Sequence, residues 1–128
     1  MNVRTMSQKM AQRAYERIAD RKPDEKYASF AREFPTLVHS CGLAQALAFA
    51  RAKGEKSEHH KKYADDLAKV LTAAGHEQVR TAKDLADRTR DLPVTQYIRL
   101  SRDALAAAVW LKRYVEAAGD GPTSDQGE

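Results

Sequence analysis

The chain has 128 residues, a length that fits one domain around a single core. With 42% hydrophobic and 31% charged residues it is composed like a soluble globular protein, which excludes wholesale disorder. Its longest nearly apolar stretch, Ala104 to Leu111, is far too short to span a bilayer. The opening residues lack the apolar run of a secretory signal. Cys41 is the only cysteine, so an internal disulfide, a Cys-x-x-Cys redox pair and a multi-cysteine zinc site are all excluded, and a cytoplasmic location is expected.

The net charge of +4 is unevenly spread. Residues 1–22 hold six Lys/Arg against two acids, residues 51–62 five against two, and residues 92–118 four against two. The last ten residues hold three acids and no base. Cationic character therefore gathers at the two ends of the folded region and in one middle segment.

Ala and Leu dominate between well-spaced Gly and Pro residues, and no long stretch alternates apolar with polar. The composition predicts an all-α fold: one compact bundle of about six helices over residues 1–118, with a disordered acidic tail over 119–128. The first helix, about Val3 to Lys22, carries Val3, Met6, Met10, Ala14 and Ile18 at helical spacing, with Ala11 and Tyr15 widening the stripe. Asp24 is an N-cap for a short helix holding Tyr27, Phe30, Ala31 and Phe34, which Pro35 is expected to break. Leu43 to Lys53 is apolar almost all round and reads as a buried central helix ending at Gly54. Ser57 is placed to cap the next helix, whose stripe is Tyr63, Ala64, Leu67, Val70, Leu71 and Ala74. Residues 81–91 form a short, largely solvated helix with Thr81 and Asp84 as a capping pair and only Ala82, Leu85 and Ala86 as an apolar face. The last helix starts at Pro93 and runs to about Ala118, with a seam from Val94 and Ile98 through Ala104, Leu111 and Val115.

Enzyme motifs are absent: there is no Walker loop, Gly-x-Ser-x-Gly or His-Glu-x-x-His. His59 and His60 are adjacent, as are Asp65 and Asp66, and adjacent helical residues point about 100° apart. No metal site and no cofactor are therefore called for. His39 and Cys41 are two apart and do not face each other on a helix. Arg32 and His39 have the loose Arg-x(4–6)-His spacing of certain all-α ribonucleases, but the expected break at Pro35 separates them.

The cations form the stronger pattern. Lys9, Arg13, Arg17 and Arg21 stand in an i+4 row on the first helix, and Lys112 and Arg113 lie near the end of the last. If chain-terminal helices meet in the bundle, these six form a surface for a phosphodiester backbone, read without sequence preference. Exposed aromatics for base stacking are not expected, since Tyr15, Tyr97, Trp110 and Tyr114 all fall on or beside core seams.

Three blocks carry a resemblance: Arg13-Ala-Tyr-Glu-Arg-Ile18; Tyr27-Ala-Ser-Phe-Ala-Arg-Glu-Phe-Pro-Thr-Leu-Val-His-Ser-Cys-Gly-Leu-Ala-Gln-Ala-Leu-Ala-Phe49; and Tyr97-Ile-Arg-Leu-Ser-Arg-Asp-Ala-Leu105 with Trp110-Leu-Lys-Arg-Tyr114. Together they resemble the small α-helical subunit of the type III-B CRISPR effector, the Cmr RNA-silencing complex, over about residues 3–118. The resemblance implies a non-catalytic subunit of an antiviral ribonucleoprotein. Copies would stack along the complex beside the backbone and large subunits and help form the channel for guide RNA and target RNA. Cleavage would belong to other subunits, and no membrane is implied. A free-standing helical nucleic-acid binder is the alternative, and a ribonuclease using Arg32 and His39 a more distant one.

Overall fold

In a computed structural model, residues 3–126 are described, with side chains through residue 118. They form five helices and no strand: α1 (Met6–Arg21), α2 (Glu25–Gly54), α3 (Glu58–Ala73), α4 (Ala82–Asp91) and α5 (Val94–Gln126). The tail 119–128, expected to be disordered, lies outside the residues whose side chains are described. No helix of the described residues is long and apolar enough to cross a membrane. α2 packs chiefly on α3 and α5, while α1 lies against α5 and α3.

Local chemistry starts and stops these helices. Thr5 caps α1 through a reciprocal box: its hydroxyl accepts from the Gln8 amide at 3.0 Å, and the Gln8 side chain accepts from the Thr5 amide at 2.8 Å. The chain leaves α1 through Lys22 in the left-handed region. Asp24 caps α2 by accepting from the Tyr27 amide at 3.0 Å, which holds the Asp24 carboxyl below its ordinary range. Thr81 caps α4 through the Asp84 amide, and Ala82, Leu85 and Ala86 are the residues α4 buries. Ser57 makes no side-chain cap; its hydroxyl is bonded to His60 Nδ1 at 2.9 Å instead.

The expectation of about six helices fails at Pro35. α2 continues straight through the proline, which is itself buried among Phe30, Ala31, Phe34 and Val38. Proline forfeits one backbone bond and disfavours helix at Phe34, a penalty of about 3 kcal/mol. Burial of Phe34 and its neighbours is worth about 1.5–3 kcal/mol per large side chain, so packing outweighs the local rule. The chain instead turns at Gly42, where φ is 86° and ψ is 162°. Only glycine adopts that conformation readily. The kink deprives nearby amides of helical partners, and the Ala44 amide donates instead to the Tyr97 hydroxyl of α5 at 3.2 Å.

A second expectation also gives way. The limb after Gly42 buries Leu43, Ala46, Leu47 and Ala50, but Gln45, Ala48, Phe49 and Ala52 are exposed. It forms one wall of the bundle, and a groove of about 920 Å³ separates it from α4. Likewise Val94 and Ile98 are 74% and 52% exposed: of the first turns of α5 it is Tyr97 that packs on the core, and full burial begins at Leu100.

The centre of the fold is a buried carboxylate. Asp66 on α3 has no exposed surface and accepts from Arg17 Nε at 2.9 Å, Arg21 Nε at 3.0 Å, Arg21 Nη2 at 2.8 Å and the Tyr27 hydroxyl at 2.6 Å. Burying a carboxylate costs several kcal/mol, which excellent geometry and full hydrogen bonding offset. Hydrogen bonding to Asp66 raises the affinity of the Arg21 guanidinium for its proton. Burial, reinforced by the Asp66 charge, keeps the Tyr27 phenol protonated as a donor.

Two stability outcomes follow. Asp66→Ala takes from Arg21 and Tyr27 their shared acceptor, leaves Arg17 only Asp20, and is expected to cost about 3–5 kcal/mol in urea unfolding. Gly42→Ala is expected to cost about 1–3 kcal/mol in the same measurement. That penalty comes from the backbone alone, since a methyl at Gly42 would meet only the Tyr97 hydroxyl, at an ordinary 3.8 Å.

Candidate nucleic-acid interface

The terminal helices do meet, as a shared surface requires. The Tyr15 ring on α1 stands edge-on to the Tyr114 ring on α5, with centroids 5.6 Å apart and planes at 73°. That contact turns the Tyr15 flank of α1 toward α5.

Four residues advance a helix by 400°, so an i+4 row creeps around the axis by about 40° per step. From Lys9 to Arg21 the drift amounts to about 120°. Lys9 and Arg13 therefore stay on the wet side, and both are exposed. Arg17 and Arg21 are carried into the seam with α3, where their side chains are only 20% and 22% exposed and bind Asp66. Arg17 also reaches Asp20 at 3.6 Å. The four cations do not form one continuous patch: two face solvent and two hold the bundle together.

Arg13 pairs loosely with Glu16 at 3.3 Å, both side chains being about half exposed. Such pairs are worth about 0–1 kcal/mol and yield readily to a phosphate. On α5, Arg113 is 65% exposed, and among the described residues its ion pair is with Glu116, at 4.0 Å. Lys112 is half-buried and points about 100° away from Arg113 around the helix. By the same geometry Arg13 lies about 160° around α1 from Tyr15. Arg13 thus lies on the flank of α1 turned away from α5, next to the side where Arg17 and Arg21 meet α3, and the exposed cations of α1 and α5 do not form one surface.

The middle cluster is separate. Lys53 sits over the Phe49 ring at 5.6 Å, and Lys62 pairs with Glu58 at 3.4 Å. His60 packs on Phe30 with ring centroids 4.2 Å apart; burial, then the Lys53 charge, pushes its imidazole below the ordinary histidine value. His59 Nδ1 lies 3.3 Å from the capping Asp24. Asp65 accepts from the Ala82 amide at 3.0 Å and so ties α3 to the start of α4. The Cys41 thiol donates to the Leu37 carbonyl at 3.2 Å, a packing role. His76 is bonded to Asp103 at 2.7 Å, which anchors the α3–α4 connection to α5.

Because α2 is continuous through Pro35, Arg32 and His39 share one helix after all. Seven residues separate them by about 10 Å along the axis. The Arg32 guanidinium is held by Glu25 at 2.9 Å, and the imidazole of His39 is exposed. The two lie about 20° apart around the helix, and the pair with Glu25 holds the Arg32 guanidinium toward the start of α2, away from His39.

What sequence reasoning missed is the aromatic rim. Tyr15 is 55% exposed, and Trp110 and Tyr114 are half-buried rather than sealed in the core. A widened apolar stripe does not tell which flank a neighbour covers, and here the Tyr15 flank is covered only in part.

Comparison with known proteins places this architecture. Residues 6–118 match a family model described as CRISPR-associated protein (Cas_Cmr5). The chain is 42% identical over 118 residues to the CRISPR system Cmr subunit Cmr5 of Thermus thermophilus, covering 90% of this chain and 96% of that one. It is also similar to the crystal structure of a Cmr5 family protein from the same organism. That match has a TM-score of 0.80 at 41% identity and covers 91% of this chain and 98% of the other.

The division of the α1 row has a direct consequence. Arg17→Glu sets an acid against buried Asp66 and is expected to lower stability by about 3 kcal/mol or more, whereas Arg13→Glu is expected to change it by under about 1 kcal/mol. Parallel thermal melts separate the two, and equal midpoints would contradict the assignment.

Proposed function

Since the chain belongs to the Cmr5 family of CRISPR-associated proteins, we propose that this Cmr subunit is a non-catalytic RNA-contacting scaffold within its effector complex. It stacks with further copies of itself beside the backbone and large subunits, and it meets guide RNA and target RNA through exposed cations at the two chain-terminal helices. Lys9 and Arg13 on α1, with Lys112 and Arg113 on α5, carry these contacts. Arg17 and Arg21 contribute through the fold, holding α1 at the angle that exposes the first two. The observation that carries the reading is the exposure of Arg13 on α1 and Arg113 on α5, each paired among the described residues with a local acid, at 3.3 and 4.0 Å, that yields readily to a phosphate.

Backbone recognition suits this arrangement. Long cationic side chains on rigid helices fix a polyanion in place without reading bases, and repeated copies multiply weak contacts into firm binding. No step of chemistry is assigned to the chain, as the Arg32 guanidinium is engaged by Glu25 on the side away from His39.

Two measurements test this. A tagged pull-down from the native cell is expected to recover the larger Cmr proteins with short guide RNAs; a lone protein without RNA would overturn the assignment. For purified protein, neutralising about four phosphates gives a log affinity that falls with log salt at a slope of roughly −3. Reversing Arg13 and Arg113 together to Glu is expected to reduce that slope by about half while the thermal midpoint holds. An unchanged slope would remove these residues from the interface.

A further inference from the structure

The α1–α5 rim holds more than cations. The Tyr114 ring lies nearly parallel to that of Trp110, with centroids 5.8 Å apart and planes at 19°, and the half-exposed Tyr15 ring closes the group edge-on from α1. The three rings make one aromatic surface whose inner side packs on the core and whose outer side meets water.

Arginines accompany it along α5. At 100° per residue, Arg99 stands within about 20° of Trp110's line, about 16 Å toward the start of the helix, and Arg102 within about 80°. Arg113 stands about 60° from that line, one turn beyond Trp110. All three are exposed, and among the described residues no carboxylate forms an ion pair with Arg99 or Arg102. Asp103, the acid nearest this face, is buried and turned to His76. The rings therefore gather at one end of the strip, beside Arg113, and Arg102 and Arg99 continue it about 12 and 16 Å back along α5.

An acidic peptide would use the arginines and leave the rings idle, and an RNA duplex keeps its base faces stacked on one another. Unpaired nucleotides use both features, since bases stack on aromatic faces while phosphates meet guanidinium groups. We propose that Tyr15, Tyr114 and Trp110, flanked by Arg99, Arg102 and Arg113, form a stacking platform for an unpaired RNA segment. The inference deepens the reading that this chain contacts RNA and rests on it. It adds preference for single strands where backbone contact alone gives none.

The chain contains one tryptophan, so intrinsic emission reports on Trp110 directly. The test titrates the full chain at low salt with a decamer of oligoadenylate, an abasic decamer of equal charge, and an RNA duplex. Oligoadenylate is expected to quench Trp110 emission and to bind at least about five-fold tighter than the abasic strand, as loss of one stacked base commonly costs that much or more. The duplex is expected to leave the emission unchanged. Tyr15→Ala is expected to lower oligoadenylate affinity at least about five-fold and leave abasic affinity alone. The strand comparison needs no variant, so the proposal remains falsifiable if that protein folds poorly. Equal affinity for adenylate and abasic strands with unchanged emission would overturn stacking and leave the backbone reading standing. Failure of every strand and of the duplex to bind would overturn both.

Discussion

One carboxylate organises this bundle. Asp66, fully buried, brings α1, α2 and α3 to a single point through Arg17, Arg21 and Tyr27. Apolar packing alone tolerates small rotations of a helix about its axis; four directed bonds at 2.6–3.0 Å do not. The rotation of α1 is thereby set, and with it the residues that α1 shows to solvent. Lys9 and Arg13 face outward because Arg17 and Arg21 are turned in. A row that reads as four equivalent cations is two structural residues followed, in space, by two available ones.

The second constraint is the long helix pair. α2 turns once, at Gly42, and Tyr97 of α5 caps the amide that the turn leaves open. This bond ties the start of α5 to the middle of α2, while Tyr114 near its other end meets Tyr15 of α1. α5 therefore crosses the whole domain as a strut held at both ends, and the residues along its outer flank keep fixed spacing. The helix is thereby a stiff spacer that presents cations and rings at set positions. The chain belongs to the Cmr5 family.

Much of this was legible before any coordinates. The helix composition, the caps at Asp24 and Thr81, and the narrow apolar face of α4 all follow from local rules and were found in place. What local rules could not supply is the partner 45 or 49 residues away. Asp66 reads as one of two adjacent surface acids until α1 is laid against it. Pro35 was misjudged for the same reason, because its penalty is local and the packing that overrides it is not. Tyr15 shows the converse: a seam residue by periodicity, it is left half open because α5 covers only one side of it. The candidate site was thus visible in its cations but not in which of them are free, and its aromatic part was not visible at all.

The measurement that tests this account most directly is ultraviolet cross-linking of RNA within the assembled complex, with the cross-linked peptides of this chain mapped by mass spectrometry. The account expects cross-links on peptides carrying Tyr15 or the Trp110–Tyr114 turn, at the junction of α1 and α5. Cross-links confined to α4 and the exposed limb of α2, or found on every other subunit and absent from this chain, would contradict it.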